Sequence, residues 1–370
     1  MVWASVIIHF IIDLFASIFK PLGPYFISKY QIDPKIFAMT LFGISILTST
    51  MQPFFGVIAD KVKKRNIYLT VTLSVTILSS SMISIASTFT IVIFLILTAQ
   101  FFNSAFHPMG ASMAGYHGKG YHLALFSFAG MLGFATGPVI ITWYAQNFNL
   151  KFMHIIGITL FLLMILIVPR IKHLDLDLRE KPKVASSVGI FLKLLPLFLF
   201  VSFRSFFMNL LEVYAPLYTR EMGKSLIFGG FLLTFSRYFG MFMSFLGVFL
   251  RDKIGNNAVN MISVSGMTLF SFLFVFMKND VSIMVAFILT MGFSYLSMSS
   301  NVVEAQKLAP NNKGFASSIV MGTAWAFGSL MSYVYSSLFG NMINFIVKSS
   351  WVIALATSIF VFLNLKKDQI

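Results

Sequence analysis

The residues of this chain that could do chemistry are the few ionisable side chains that stand inside long apolar runs. Burying an unpaired charge in such surroundings is costly, so these residues are expected to be paired or functional. His9 and Asp13 are four residues apart and would lie on one face of a helix. A shielded carboxylate beside an imidazole can carry a proton, with Asp13 as the carrier and His9 as its partner. The alternative is a structural hydrogen bond between the two residues that holds their helix against a neighbour.

Two arginines in the apolar runs are candidates to bind an anion. Arg204 and Arg237 each present a planar guanidinium group, whose geometry matches a phosphonate or a carboxylate. The alternative for each is an internal ion pair, and Asp13 or Glu212 is the expected partner of Arg204. Glu212 stands near the end of its apolar run, where we expect it to act in a gate or an interface.

Two further basic residues complete the candidate substrate-binding set. Lys20 follows Asp13 by seven residues, two turns further along the same predicted helix. His107 precedes Pro108, which should kink its helix because proline removes one hydrogen-bond donor and clashes with the preceding turn. Pro108 is therefore a candidate hinge. His107 either binds substrate or protons, or caps the backbone that the proline opens.

The elements that must position these residues follow from composition. The chain has 370 residues, of which 58% are hydrophobic and only 11% are charged, whereas soluble chains are about a quarter charged. Its apolar runs are long enough, as helices, to cross about 30 Å of hydrocarbon, and they lack the alternation of a membrane barrel. We therefore expect an all-α integral membrane protein with twelve transmembrane helices in two six-helix, pseudo-symmetric halves. The predicted spans lie at 2–28, 36–58, 67–86, 90–116, 121–146, 151–170, 189–218, 226–249, 258–277, 282–306, 314–340 and 343–365.

The distribution of Lys and Arg predicts the domains and the orientation. The two halves are expected at 1–170 and 189–370, joined by a polar cytoplasmic linker at 171–188. With both termini in the cytoplasm, the inner loops and tail hold 16 of the 27 Lys and Arg and the outer loops hold seven, as the positive-inside rule requires. We expect a multi-pass protein of the cell (inner or plasma) membrane whose basic loops contact anionic lipids. The net charge of +15 is scattered over short loops, so no nucleic-acid partner is expected.

Several classes of chemistry find no support in the sequence. There is no cysteine, which excludes a disulfide framework, a thiolate metal site and a cysteine nucleophile. The segment GASMAGYH from Gly110 has the glycine spacing of a phosphate loop, but Tyr116 stands where the lysine must be. No metal cluster or nucleophile–base pair is visible. We therefore predict no enzyme activity, no cofactor and no metal.

Two basic turns recur at matching places in the two halves. GVIADKVKKR at 56–65 joins the second and third spans, and GVFLRDKIG at 247–255 joins the eighth and ninth. An aspartate in such a turn can sit near a helix N-terminus while the cations bind neighbouring loops or lipid. The alternative is two unrelated turns that merely obey the positive-inside rule. The candidate gating residues of these turns are Gly56, Asp60, Lys61, Arg65, Asp252 and Lys253.

These turns resemble the loop 2–3 signature of the major facilitator superfamily, whose two parallel six-helix halves match the predicted topology. Within it the chain resembles the fosmidomycin-resistance family of efflux proteins over nearly its whole length. The carrying segments are HFIID at 9–13, QP at 52–53, AFHPMG at 105–110, GFATGP at 133–138 and VVEAQKLAP at 302–310.

This resemblance implies proton-coupled efflux and further candidate residues. The family commonly has an acid after the Gln of the tenth span. Lys307 stands at that position here, and Glu304 is the nearby candidate for proton coupling. Gly133, Gly137 and Pro138 resemble the antiporter signature of drug-efflux proteins, although Ile141-Thr142 replace its two glycines. We add Gly133, Gly137 and Pro138, together with Glu212, to the expected gating residues.

The sequence as a whole predicts a monomeric secondary transporter that exchanges protons for a small drug-like or anionic compound by alternating access. Uptake or facilitated diffusion of a small metabolite or sugar is the first alternative. A membrane receptor or assembly subunit that does not transport is the second, and the retained carboxylates and paired turns favour a transporter over it.

Overall fold

The computed structural model of the chain describes residues 2–114, 120–168 and 187–367, and every regular element in these ranges is helical. A 3-10 turn, Pro310–Asn312, and a π-helix, Ile319–Thr323, supplement the α-helices. The α-helices are α1 Val2–Ala16, α2 Gly23–Tyr30, α3 Pro34–Lys61, α4 Arg65–Met82, α5 Phe89–Ala114, α6 Gly120–Phe148, α7 Met153–Ile167, α8 Ser187–Glu221, α9 Leu226–Ile254, α10 Asn256–Phe276, α11 Asp280–Leu296, α12 Met298–Leu308, α13 Lys313–Ser318, α14 Ala324–Phe339 and α15 Ile343–Lys367.

The predicted twelve-span, all-helical membrane fold is confirmed, because each predicted span coincides with one helix or with consecutive helices. Within the described ranges nine helical segments are long and apolar enough to cross a membrane, and Trp3–Ala16 and Met153–Ile167 are shorter apolar helices. The exposed surface carries many large apolar side chains, as expected where hydrocarbon replaces water.

The first predicted span is broken, which corrects the expected position of Lys20. α1 ends at Ala16 and α2 begins at Gly23, with turns between them. Pro21 causes the break because it has no N–H for the helical ladder and its ring clashes with the preceding turn. Lys20 therefore lies in the turn and not on a continuation of α1. Pro24 stands in the first turn of α2, a position that suits its fixed φ.

The backbone divides into two compact units. Unit 1 consists of Met1–Asp33, Leu47–Glu180 and Lys224–Thr234, and unit 2 of Pro34–Ile46, Lys181–Gly223 and Phe235–Ile370. α3 and α9 thus each contribute residues to both units. The linker predicted at 171–188 lies almost wholly outside the described residues, so the division at that linker stays a prediction.

In unit 1 the closest helix contact is between α1 and α6. A Cβ atom at Gly133 would overlap the backbone carbonyl of Phe10, and one at Gly137 would lie 2.6 Å from the carbonyl oxygen of Leu14. At Gly130 a Cβ atom would meet the ring of His9. Small residues let membrane helices approach closely and gain van der Waals contact. This contact fixes the position of the face of α1 that carries His9.

Unit 2 uses the same small-residue packing. A Cβ atom at Gly328 of α14 would lie 2.6 Å from Cβ of Ser205 on α8, and one at Gly247 of α9 would overlap the carbonyl of Leu296 at the end of α11. Hydroxyl groups add hydrogen bonds between these helices: Ser332 donates to the carbonyl of Phe206. Packing and interhelical hydrogen bonds, more than hydrophobicity, hold helices together in lipid.

We expect Gly133→Ala to destabilise the protein by about 1–3 kcal/mol, because the new methyl group meets a backbone carbonyl that cannot rotate away. The measurement is the melting temperature of the detergent-solubilised protein by scanning fluorimetry. Gly189→Ala is the matched control, since a Cβ atom at that helical position meets nothing within 4 Å. Equal melting temperatures for the two variants would contradict the close α1–α6 contact.

Candidate functional site

The structure brings three predicted site residues of unit 1 into one cluster. His9 and Asp13 lie one turn apart on α1, and His107 reaches them from α5. The Nε2 atom of His9 lies 3.2 Å from Oδ2 of Asp13, and Nε2 of His107 lies 3.5 Å from Oδ1. The carboxylate is thus held between two imidazole rings on two helices.

Both imidazoles are oriented by backbone carbonyl groups. The Nδ1 atom of His9 is 2.8 Å from the carbonyl oxygen of Phe126, and that of His107 is 2.8 Å from the carbonyl oxygen of Asn103. A carbonyl can only accept, so each Nδ1 must carry the donated proton. In a neutral imidazole the other nitrogen, Nε2, then has a lone pair, and that lone pair faces Asp13.

This arrangement requires a shared proton. Two imidazole lone pairs directed at an ionised carboxylate repel it. A proton on one Nε2 atom or on Asp13 turns the contact between that imidazole and the carboxyl group into a hydrogen bond. Protons held by such close groups belong to the cluster and not to one residue.

Asn103 is a fourth member that the sequence did not reveal. Its Nδ2 donates to Oδ1 of Asp13 at 2.9 Å, which satisfies a lone pair of the carboxylate. We call His9, Asp13, Asn103 and His107 the Asp13 cluster. The sequence spacing could have indicated this residue, because Asn103 precedes His107 by one helical turn and so lies on the same face of the helix.

The Asp13 cluster is shielded on one side and reachable on the other. The side chains of His9 and Asp13 are 7% and 13% exposed, whereas that of His107 is 37% exposed. The His9 ring stacks on Phe126 with 3.9 Å between ring centroids, and Gly130 leaves room for the ring. His107 is therefore the least buried of the three ionisable members of the cluster.

Pro108 lies inside α5, which continues to Ala114. The hydrogen bond from His107 Nδ1 goes to the Asn103 carbonyl, next to the Ser104 carbonyl that loses its usual N–H donor to Pro108. The side chain of Ser104 in turn donates to the carbonyl of Thr48 at 3.0 Å. His107 thus contacts the carbonyl of Asn103 with one ring nitrogen and Asp13 with the other. The carbonyl that Pro108 leaves open, that of Ser104, is not the one that His107 contacts, and the role of His107 in binding protons or substrate stays a prediction.

A second cluster of buried charges lies in unit 2. The Nε atom of Arg237 on α9 is 3.4 Å from Oε1 of Glu212 on α8, and the Tyr295 hydroxyl on α11 donates to the same oxygen at 3.4 Å. Arg204 donates to the Ser297 hydroxyl at 3.0 Å and to the Ser294 carbonyl at 3.5 Å.

We call Arg204, Glu212, Arg237 and Tyr295 the Tyr295 cluster; all four are buried. It contains two guanidinium groups and one carboxylate. Among the described residues Arg204 makes no ion pair, its side chain is 1% exposed, and its Nε–H has no hydrogen-bond acceptor. Of the two possibilities predicted for Arg237, anion binding or an internal ion pair, the structure contains the ion pair. Glu212 lies in this pair and Arg204 beside it.

Glu304 lies at the second basic turn of unit 2 and forms an ion pair there. Its carboxylate is 2.7 Å from Arg251, which also contacts Asp252 at 3.0 Å. The ammonium of Lys253 lies 4.4 Å from the ring centroid of Phe249. An ion pair therefore joins the end of α9 to α12 across this turn.

The first basic turn is built differently. Gly56 and Lys61 lie in the last part of α3, with Lys61 exposed, and α4 begins at Arg65. Arg65 is buried and donates to the Ser112 hydroxyl on α5 at 3.1 Å. The side chain of Asp60 lies outside the described residues, so its expected position near a helix N-terminus stays a prediction.

The expected gating residues of α6 lie at helix contacts. Gly133 and Gly137 face α1. The carbonyl of Pro138 accepts from the Thr142 hydroxyl at 2.7 Å, and the next amide, Val139, donates to the Thr234 hydroxyl of α9 at 3.1 Å. Thr142, where the resembled signature has a glycine, forms its hydrogen bond within α6, and a Cβ atom at Gly230 of α9 would meet its hydroxyl group.

Comparison with known proteins identifies the family. Residues 5–333 match the Major Facilitator Superfamily. No curated protein matches the sequence. The finer resemblance to the fosmidomycin-resistance family therefore stays a prediction.

Solved structures match the whole fold at low sequence identity. A mutant of the nucleoside transporter NupG is 15% identical, with a TM-score of 0.80 and 99% of each chain covered. A bacterial homologue of the human lysosomal transporter Spinster, in an inward-facing and occupied conformation, is 13% identical with a TM-score of 0.72, covering 99% of this chain and 96% of that one. The chain belongs to the Major Facilitator Superfamily, and it is a multi-pass membrane transporter that works by alternating access, not an enzyme.

Proposed function

We propose that the protein is a proton-coupled exporter that exchanges protons for a small anionic or drug-like compound. The observation that carries the proposal is the Asp13 cluster. Its two fixed imidazoles direct lone pairs at one carboxylate, which supports a proton-binding site at Asp13. A transporter can use such a site only if proton occupancy differs between the steps of its cycle.

The Asp13 cluster assigns roles to three predicted residues. Asp13 is the acceptor around which the proton is shared, and His9 is its shielded partner. His107 is the least buried of the three, and we assign it the exchange of the proton with the surroundings of the cluster. Asn103 donates to Oδ1 of Asp13 and so helps to hold the carboxylate in place between the two imidazoles.

The Tyr295 cluster supports an anionic substrate. A buried guanidinium without a carboxylate partner is unfavourable, and a bound anion would remove that cost. Arg204, which donates only to neutral groups, is the proposed anchor. Arg237 is the secondary contact, because its Nε atom already faces Glu212. Lys20 keeps its proposed role in substrate binding, at the turn between α1 and α2.

The remaining predicted residues are proposed to act in the conformational cycle. Glu304 was expected in proton coupling, but its 2.7 Å contact with Arg251 favours a role in holding the second basic turn. Asp252 and Lys253 belong to the same turn, and Gly56, Asp60, Lys61 and Arg65 to the first. Pro108, Gly133, Gly137, Pro138 and Glu212 lie at helix contacts that a cycle would rearrange.

Export, and not uptake, rests on the resemblance to efflux proteins. The orientation with both termini inside, the location in the cell membrane and the monomeric state rest on charge distribution and on the usual state of such transporters. Uptake, facilitated diffusion and a receptor role are the outcomes against which the proposal is tested.

The decisive experiment places the purified protein in liposomes that contain a pH-sensitive dye. Phosphonates, anionic drugs, sugars and nucleosides are added in turn under an imposed proton gradient; nucleosides are included because of the similarity to NupG. Proton movement that depends on one compound supports coupled transport, and its direction separates antiport from symport. Transport that ignores the proton gradient would instead indicate facilitated diffusion. The possible ligand atoms of His9, Asp13 and His107 lie within 4.8 Å of one another, close enough to hold a metal ion. Transport that needs added Zn²⁺ and no proton gradient would therefore overturn the proton role of the Asp13 cluster.

Asp13→Asn should abolish transport driven by the pH gradient while sparing exchange of substrate across the membrane. The amide keeps the shape of the side chain but removes its negative charge. The side chain can then no longer share a proton with the two imidazoles. Asp33→Asn is the control, because Asp33 is an exposed residue before α3 without a side-chain capping bond. Normal pH-driven transport by the Asp13 variant would remove the coupling role.

Arg204→Gln should raise the KM for the transported anion about 10- to 150-fold, because a hydrogen bond to a charged group contributes about 1.5–3 kcal/mol. Arg204→Lys, which keeps the charge but not the fork, should fall between wild type and Arg204→Gln. Arg220→Gln, at the exposed end of the same helix, should leave KM unchanged. An unchanged KM in Arg204→Gln, in a variant with normal melting temperature, would place the anion elsewhere.

Exchange of one proton for one monoanion should respond to the membrane potential. The proton enters while the anion leaves, so two elementary charges move in the same sense, each worth about 2.3 kcal/mol per 100 mV. A potassium diffusion potential, negative inside, should therefore accelerate the exchange at constant pH gradient. Indifference to the potential would contradict this stoichiometry and favour symport of proton and anion.

A further inference from the structure

The Asp13 cluster contains the kinds of side chain that bind a transition-metal ion. One possible ligand atom from each of His9, Asp13 and His107 lies within 4.8 Å of the other two. Two imidazole nitrogens and one carboxylate oxygen are a known ligand set for Zn²⁺, with a further position left open for water or another ligand. The sequence predicted no metal because this set forms only where α1 meets α5.

The spacing of the ligand atoms suits a small ion. The Nε2 atom of His9 is 3.2 Å from Oδ2 of Asp13, and Nε2 of His107 is 3.5 Å from Oδ1. Neighbouring ligands around a tetrahedral Zn²⁺ ion, with bonds of about 2.1 Å, lie roughly 3.4 Å apart. Each imidazole therefore already stands at the separation from the carboxylate that a shared ion requires.

The hydrogen bonds around these side chains are those that a metal site needs. The Nδ1 atoms of His9 and His107 donate to the carbonyl oxygens of Phe126 and Asn103 at 2.8 Å, which leaves the lone pair of each Nε2 for a metal. The side chain of Asn103 donates to Oδ1 of Asp13 at 2.9 Å. In metal sites such partners select the tautomer of each ligating histidine and orient the ligating carboxylate.

The surroundings of the cluster favour Zn²⁺ over harder cations. His9 and Asp13 are buried, so the attraction between an ion and the carboxylate is weakly screened. The side chain of His107 is 37% exposed, and its ring is the one with room to turn as an ion enters. Mg²⁺ and Ca²⁺ take oxygen ligands, whereas imidazole nitrogens suit Zn²⁺ and its neighbours among the transition metals.

We propose that the Asp13 cluster binds Zn²⁺ or a similar divalent transition-metal ion through Nε2 of His9, Nε2 of His107 and the carboxylate of Asp13. The binding rests on the geometry of the three ligands, and only its effect on transport rests on the proposed function. Because the ion uses both Nε2 lone pairs and the carboxylate, a proton cannot be shared there at the same time. A bound ion should therefore inhibit transport that is driven by the pH gradient.

The binding test uses the full-length protein in detergent, treated with a chelator and without a histidine tag. Co²⁺ is the spectroscopic probe, because its visible absorption bands are strong in tetrahedral sites and weak in octahedral ones. Calorimetric titration measures the affinity for Zn²⁺. We expect wild type to show strong Co²⁺ bands that Zn²⁺ abolishes by displacement and that Mg²⁺ leaves unchanged.

Variants locate the ion. His107→Gln and Asp13→Asn should each weaken Zn²⁺ binding more than about 100-fold, because losing a group that only orients a ligand already weakens binding about 10- to 100-fold. His154→Gln is the matched control, since it removes a histidine of unit 1 that contacts the Ser84 hydroxyl at 3.2 Å, and it should bind as wild type does. Melting temperatures of the metal-free variants show whether each one folds. The Co²⁺ spectrum of the wild type decides if neither ligand variant does.

The outcomes separate this proposal from the proposed function. Weak Co²⁺ bands in the wild type, or equal Zn²⁺ binding by the wild type, His107→Gln and Asp13→Asn, would overturn the metal site and leave the proton role untouched. In the liposome assay, inhibition of pH-driven transport by Zn²⁺ in the wild type and in His154→Gln would support both. Zn²⁺ that binds at the Asp13 cluster and leaves pH-driven transport unchanged would support the metal site and contradict the proton role.

Discussion

The cost of burying a charge among apolar helices is the constraint on which the interior of this protein depends. The two clusters each contain one described buried carboxylate, and each carboxylate offsets the cost of burial with a different set of partners. Asp13 has two imidazoles and an amide, and Glu212 has a guanidinium and a phenol. Because an unpaired buried charge costs several kcal/mol, these partners fix the rotamers and the helix faces that carry them. Arg204 is the exception, since it is buried and donates only to neutral oxygen atoms.

The packing of small residues makes these charge contacts possible. His9 can stack on Phe126 only because Gly130 leaves space for its ring, and α1 can lie against α6 only because Gly133 and Gly137 have no side chain. The helix contact and the proposed proton site are therefore parts of one arrangement. A change that separates the two helices would also move His9 relative to His107, which stands on a third helix. This gives a physical route by which proton occupancy and helix packing can influence each other.

Much of this arrangement could be predicted from sequence, and the rest could not, for identifiable reasons. The pairing of His9 with Asp13 follows from their spacing on one helix, and the spans follow from continuous apolar runs. The contribution of His107 needs the contact between α1 and α5, which no local pattern contains. Glu212 had two possible arginine partners, and only the packing of the helices determines that Arg237 is the one that forms the ion pair. The break at Pro21 could have been predicted from the proline, but the apolar character of the segment continues through it and hid the break.

The two clusters differ in the sign of the charge that each lacks. In the proposed function the Asp13 cluster takes a proton, because its fixed imidazoles otherwise direct lone pairs at a carboxylate. The Tyr295 cluster has one more guanidinium than it has carboxylates. One therefore favours a cation and the other an anion, and filling either changes the local charge by one unit. The clusters belong to separate compact units, so the proposed coupling does not need proton and substrate to touch. It needs only that the two states of alternating access differ in how well each cluster is solvated. The factor by which a bound proton changes the affinity for the anion then equals the factor by which a bound anion changes the affinity for the proton.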